Sequence, residues 1–325
     1  MRRLRSAFLA CLLAAVPWAT QASPRQIAAA IVGVKAEIPP EARTADTLGR
    51  QRSGSGVVID AGGLVLTVGY LVLEAAAVDL YDSSGKRIPA DIVGYDQETG
   101  FGLLRATAPL SASPLRLGHS EEAAIGEPLL VVSRDGALGA RQASLASRRE
   151  FAGSWEYLLP NALFTTPPHP AFAGAALVDR EERLVGVGSL FVGDATAEGV
   201  DSPGNMFIPI DALEPILADL LALGHRDGPG RPWVGVSAIE HGGELIVRSV
   251  SEGGPAEAAG VRPGDLVVGV GGTSVDTLAE LYRGMWQLGQ PGVEVPLRLM
   301  RGDRATEITV PSIDRMRWLR LNQTY

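Results

Sequence analysis

Residues 23–226 form a succession of short apolar runs cut by Gly, Asp and Ser, and that rhythm constrains the fold more than any other feature. Runs at 31–34, 56–59, 64–67, 77–81 and 129–133 have only four or five residues each. They are too short for helices, and turn residues at such spacing let successive strands pair antiparallel in barrels. The chain holds 39 glycines in 325 residues, enough for many turns and for two or three domains.

The first 22 residues stand outside this pattern. Arg2, Arg3 and Arg5 make a basic start, residues 7–16 an apolar stretch, and Thr20-Gln21-Ala22 a small-residue cleavage site, the pattern of a signal peptide. The apolar stretch is too short for a stable membrane span. Cys11 lies inside it, and Phe8-Leu9-Ala10-Cys11 fails as a lipobox because too little apolar chain precedes it. Removal of the segment takes the only cysteine with it, which excludes disulfide and thiol chemistry. It also takes three arginines, so the charge of −8 becomes 26 − 37 = −11. A dispersed acidic charge argues against nucleic acid or an anionic membrane as partner. The expected location is periplasmic or secreted. Four histidines (His119, His169, His225 and His241) show no metal-ligand spacing, and neither a metal nor a cofactor is expected. His169 reads as a solvated loop residue between prolines, Arg148 and Arg149 as a solvated turn, Ser55 as structural, and 39–54 as a polar loop.

Three motifs carry the functional reading. They are Gly54-Ser55-Gly56-Val57-Val58-Ile59-Asp60 with Leu66-Thr67-Val68-Gly69-Tyr70-Leu71-Val72, then Asp96-Gln97-Glu98-Thr99-Gly100-Phe101-Gly102-Leu103-Leu104-Arg105, then Pro170-Ala171-Phe172-Ala173-Gly174-Ala175-Ala176-Leu177-Val178. They resemble the histidine, aspartate and serine motifs of the HtrA (Deg-type) family of trypsin-like serine proteases. The resemblance puts the general base on Tyr70, the orienting acid on Gly100 and the nucleophile on Ala173, so it implies no catalytic residue at any of the three. A phenol titrates near pH 10 and takes no proton at neutral pH as imidazole does. An alanine methyl has no lone pair. Removing one triad member costs a serine protease about 10⁴- to 10⁶-fold in turnover. Ala171 further replaces a glycine that the family uses for a tight path beside the oxyanion hole. The stretch from Leu115–Ser120 through Ile125–Pro128 resembles a further family segment, and Asn205–Ile210 resembles the strand that closes the second barrel.

A helix is expected at 212–223, with Asp211 and Glu214 as a capping box and Gly224 as its stop. The Gly/Pro-rich run 227–230 marks a linker. Residues 231–314 resemble a PDZ domain of the HtrA type, most specifically over Gly253-Gly254-Pro255-Ala256-Glu257-Ala258-Ala259-Gly260-Val261-Arg262-Pro263-Gly264-Asp265. A second helix is expected at 278–288, capped by Thr277 with Glu280. The resemblance implies a peptide-binding groove. Backbone N–H groups at Val234, Gly235 and Val236 would hold a terminal carboxylate, and the strand after them would pair with an extended peptide. Leu281 and Met285 either line the pocket or simply pack the core, and Trp233, counted with the peptide-binding residues as the start of this loop, reads as a rim or interdomain contact rather than a ligand clamp. The tail 315–325 mixes Trp318, Leu319 and Leu321 with three arginines, and either docks on the PDZ surface or meets a partner. Its last residues, Gln323-Thr324-Tyr325, make a weak self-ligand.

The expected fold is mainly β, a trypsin-like double barrel (23–226) followed by a small α/β PDZ domain. The expected function is that of a pseudoprotease. It would bind extended or C-terminal peptide segments as an adaptor, a chaperone-like holder or a regulator of an active HtrA-type protease, in a homotrimer or a mixed trimer as the family implies. The competing expectation is a serine-type endopeptidase with a non-standard catalytic arrangement. A third is a structural interaction protein whose groove is vestigial.

Overall fold

The structure, a computed structural model, describes residues 24–321. The segment 1–22 read as a signal peptide, with Cys11, and the terminal Gln323-Thr324-Tyr325 lie outside the described residues.

Six short strands form the first closed barrel: β1 (Ile31–Glu37), β2 (Gln51–Val58), β3 (Leu64–Val68), β4 (Ala77–Tyr81), β5 (Arg87–Tyr95) and β6 (Phe101–Ala106), in the order β1-β2-β3-β6-β5-β4. Six more form the second: β7 (Pro128–Asp135), β8 (Ala137–Gly153), β9 (Tyr157–Thr166), β10 (Ala176–Val178), β11 (Leu184–Val192) and β12 (Gly204–Pro209), in the order β10-β11-β12-β9-β8-β7. All these pairings are antiparallel. Closure leaves no open strand edge, so each barrel can bury a continuous apolar interior. Leu66, Leu80, Phe101 and Leu103 fill the first; Leu145, Leu163 and Phe207 fill the second. The 205–210 segment supplies β12, the last strand of the second barrel in the chain, which pairs with both β9 and β11 while β7 pairs with β10.

Several local expectations are overturned by long-range packing. Residues 39–54 are not a plain polar loop: they contain a short helix, Ala45–Leu48, and the start of β2. The Arg52 guanidinium is buried there, bonding the carbonyls of Tyr70 (2.7 Å), Leu73 (3.0 Å) and Thr44 (3.2 Å) and the Thr44 hydroxyl (2.9 Å). Burial lowers its pKa to about 10, with Glu74 opposing. Arg148 and Arg149 lie in the long strand β8 rather than a turn. Arg149 sits 3.7 Å over the Phe164 ring and pairs with Asp194 at 2.9 Å, while Arg148 donates to the carbonyls of Ser120 and Ala123. After the second barrel the α-helix runs over Glu214–Leu223, preceded by a 3-10 turn at Ile210–Ala212. Asp211 makes no capping bond, since its carboxylate accepts from the Ser120 and Glu121 N–H groups and from the Ser120 hydroxyl. Gly224 ends the helix in the left-handed conformation as expected.

The linker that follows is held on the first barrel. Tyr95 N–H donates to the Gly224 carbonyl at 3.0 Å, Arg226 forks onto the buried Asp96 (3.1 and 3.0 Å), and Arg231 pairs with Glu98 at 2.7 Å. The last domain contains β13 (Pro232–Trp233), β14 (Val236–His241), β15 (Glu244–Val250), β16 (Leu266–Val270), β17 (Thr273–Ser274), β18 (Glu294–Arg301), β19 (Arg304–Pro311) and β20 (Ile313–Asp314). Its sheet runs β14-β15-β16-β18-β19, which leaves β14 at an edge, while β13 pairs with β20. The helix Leu278–Gln287 carries the expected reciprocal capping box of Thr277 and Glu280. It buries Leu278, Leu281, Tyr282 and Met285 in this domain's core.

The tail returns to the first barrel. Asp314 caps the short helix Arg315–Trp318, Trp318 packs on Trp233 with ring centres 4.8 Å apart, and Leu319 is buried against Leu73 and Tyr95. Asp96 is nearly inaccessible, so its ion pair resists screening more than a surface pair does. Arg226→Ala is expected to destabilise the folded protein by about 2 kcal/mol, the cost of stranding a buried carboxylate that keeps only its Thr99 bonds. Urea unfolding of the variant beside wild type measures it.

Candidate functional site

The interface between the barrels collects the three motif positions. Ala173 lies in the loop between β9 and β10, pressed against β2. Its carbonyl accepts the Ser55 N–H at 2.8 Å, and a Cβ added at Gly54 would stand 2.7 Å from that oxygen. Gly174 has φ +70, and a Cβ there would stand 1.9 Å from the Ser55 carbonyl oxygen. Only glycine fits either contact. Ser55 is fully buried, and its hydroxyl accepts the Arg134 N–H at 2.8 Å, so it is structural as read.

Tyr70 sits in the 3-10 turn Gly69–Leu71 after β3. Its hydroxyl crosses between barrels to donate to the Ser189 carbonyl at 2.9 Å, and Arg52 holds its own carbonyl. Burial pushes the phenol above its ordinary range. Gly100 closes the 96–100 turn with φ +83, and its carbonyl accepts the Gly69 N–H at 2.7 Å. A side chain at 100 would meet the Tyr157 hydroxyl at 3.3 Å; that hydroxyl is bonded to the Thr99 carbonyl at 2.6 Å. The three positions are thus linked by contacts. Gly100 holds Gly69 beside Tyr70, Tyr70 holds Ser189, and the neighbouring Gly188 carbonyl accepts the Gly174 N–H at 2.8 Å, next to Ala173.

One N–H group in this loop that a reacting carbonyl would need is committed elsewhere. The Ala171 N–H donates to His169 Nδ1 at 3.1 Å, and Ala171 stays out of the left-handed region. An oxyanion hole works through N–H groups aimed at open space. His169 is therefore not a solvated loop residue: it is 5 % exposed, and its own N–H donates to Asn205 Oδ1 at 2.6 Å. Burial, with Arg141 nearby, pulls the imidazole below its usual pKa. The flanking prolines hid this, because the burial comes from β8 and β12 rather than from its sequence neighbours.

The second site lies in the C-terminal domain. The N–H groups of Val234, Gly235 and Val236 converge on the carboxylate of Glu156, from the turn between β8 and β9. Val234 donates to Oε2 at 3.1 Å; Gly235 and Val236 donate to Oε1 at 2.7 and 2.9 Å. Glu156 is 4 % exposed, and burial pushes its carboxyl up to about 7 against the pull of those three donors. Gly235 has φ +82, which lets the loop turn its donors inward. Leu281 and Met285 are core residues, and the core they join includes Leu158 of β9. Trp233 is buried against Trp318 of the tail. Nothing in the sequence around Ser154-Trp155-Glu156 points to this role, since the partner loop is 78 residues away.

Residues 54–187 match the family described as trypsin-like peptidase domain, and residues 232–311 match the PDZ domain family. The chain is 27% identical over 293 residues to "Putative serine protease HhoA" of Synechocystis sp., covering 79% of this chain and 69% of that protein. It is 24% identical to "Serine protease Do-like HtrA" of Bacillus subtilis (78% of this chain, 61% of that one). To "Periplasmic pH-dependent serine endoprotease DegQ" of Escherichia coli it is also 24% identical (79% and 58%). The chain spans about three fifths of the length of the last two. Among solved structures, "HtrA-type protease AlgW with tripeptide" superposes with a TM-score of 0.52 at 20% identity, covering 92% of this chain and 96% of that one. The serine endoprotease from Yersinia pestis gives 0.51 at 21% identity, covering 89% and 95%. Among the described residues no helix is long and apolar enough to cross a membrane.

Tyr70→Phe removes one bond between the barrels and should cost about 1 kcal/mol at pH 8. Tyrosines of the unfolded chain ionise near pH 10, whereas Tyr70 in the fold stays protonated well above that. The folded state then binds more protons, so this contribution to stability is full below pH 10 and is lost as pH rises beyond it. Urea midpoints at pH 8 and pH 11 should fall less steeply with pH for Tyr70→Phe than for wild type.

Proposed function

We propose, for a chain built on the HtrA plan of a trypsin-like peptidase domain followed by a PDZ domain, that the peptidase domain is a pseudoprotease and that the protein works by binding polypeptide. The observation that carries the reading is the pairing of an alanine in the nucleophile loop with a phenol in the base position. Tyr70 donates its proton to a carbonyl and has burial against its ionisation, so it has no means of activating a nucleophile. Ala173 offers none to activate. The glycine at 100 brings no carboxylate to orient a base, and the Ala171 N–H is already bonded.

Extended segments or protein C-termini are the proposed ligands, taken through the loop at Val234–Val236, the edge of β14 and the pocket by Leu281 and Met285. An adaptor, a chaperone-like holder or a regulator of an active relative all follow from such binding, and a trimeric assembly is proposed with them. The exported, periplasmic setting is proposed from the N-terminal sequence and from the printed names of several relatives.

The competing reading, an active endopeptidase, is favoured by the relatives' names as serine proteases. Casein incubated with the protein, with new termini sought by mass spectrometry, separates the two. No new termini are expected. Cleavage that scales with protein and survives repurification would overturn the pseudoprotease reading. The triple variant Tyr70→His, Gly100→Asp, Ala173→Ser is expected to gain little activity. An aspartate at 100 must adopt φ near +83 beside the Tyr157 hydroxyl, at a cost of about 1–3 kcal/mol.

A further inference from the structure

We propose that the PDZ groove is occupied by this chain's own β8–β9 turn, with the Glu156 side chain standing in for a ligand's terminal carboxylate, so that an external peptide binds by displacing it. This rests on the peptide-binding reading above and adds what holds the groove when no partner is present.

Each feature by which such a groove grips a peptide is here satisfied from within. The three N–H groups of the loop at Val234–Val236 are all taken by Glu156. The edge strand β14, which would otherwise offer unpaired main chain, donates its Ala238 N–H to the Ser154 carbonyl at 3.1 Å, the start of an added strand. From the helix side, the Tyr282 hydroxyl donates to the Gly153 carbonyl at 2.7 Å. Leu158 supplies the apolar side chain, buried in one core with Leu281 and Met285. At the rim Arg283 pairs with Glu150 of β8.

The backbone gives an independent sign. Glu156 has φ +59, a left-handed conformation that disfavours any residue with a Cβ and is ordinarily given to Gly or Asn. A glutamate in that position is explained by what its carboxylate holds. Packing between domains alone would be served by apolar contacts and has no need to bury a carboxylate on three converging donors. When a site is open for only a fraction of the time, its apparent affinity falls by that fraction.

The test uses the full-length chain and the variants Glu156→Gly and Glu150→Ala. Glycine suits φ +59, so the first keeps the turn while removing the carboxylate; the second loses only a rim ion pair. Hydrogen–deuterium exchange reads the Val234, Gly235, Val236 and Ala238 amides without any ligand. Fluorescence anisotropy reads binding of a labelled decapeptide pool with randomised last residues and a free C-terminal carboxylate, beside the same pool amidated. In Glu156→Gly the loop amides should exchange faster, and the free-carboxylate pool should bind roughly 10- to 100-fold tighter than to wild type, matching loss of charged hydrogen bonds. Glu150→Ala should gain about 1.5- to 5-fold, the worth of an exposed pair. Unchanged exchange of the loop amides together with unchanged affinity overturns the proposal. Faster exchange with no binding of either pool by any form overturns displacement and, separately, the peptide-binding reading, while leaving the internal contact in place.

Discussion

Two buried glutamates, both in left-handed backbone, hold the separate parts of this chain in one arrangement. Glu156 (φ +59) accepts three N–H groups of the PDZ loop. Glu74 (φ +60) accepts the N–H groups of Arg43, Thr44 and Arg320 and the Thr44 hydroxyl. An unpaired carboxylate at either place would carry a desolvation cost of several kcal/mol, so each is tenable only while its donors stay in position. Those donors come from the PDZ domain in one case, and from the loop before β2 and the tail in the other. Burial opposes ionisation at both. At Glu74 the hydrogen bonds outweigh it and hold the pKa below the usual range, and at Glu156 burial prevails.

The contact between the barrels is set by main-chain geometry. The close approach of the 170–174 loop to β2 demands glycine at 54 and 174 whether or not residue 173 is a nucleophile, because the conflict is with main-chain atoms. Tyr70 commits its hydroxyl to a bond that joins the barrels. His169 shows the same use of a polar group, its ring accepting the Ala171 N–H inside the loop.

Much of this was legible along the chain where the physics is local. Short apolar runs became strands near their expected limits, with 77–81 recovered as β4. Thr277 and Glu280 capped the second helix because a capping box involves residues three apart. Gly224 stopped the first helix for a similarly local reason. The failures share a different cause. Asp211 left its cap to hold the turn at Ser120, some 90 residues away, and Arg148, Arg149 and Arg52 went inward to carbonyls and rings supplied by distant strands.

The sequence alone determined the class of fold, the order of the two domains and the local stops and caps of their helices. Each of these depends on residue types at short spacing. Only the tertiary structure decided which carboxylate the loop at Val234–Val236 meets, where the tail docks and which charged groups are buried. Those outcomes depend on two surfaces meeting across dozens of residues of chain. A left-handed glutamate in a hairpin turn carries no local mark of the loop that it will reach.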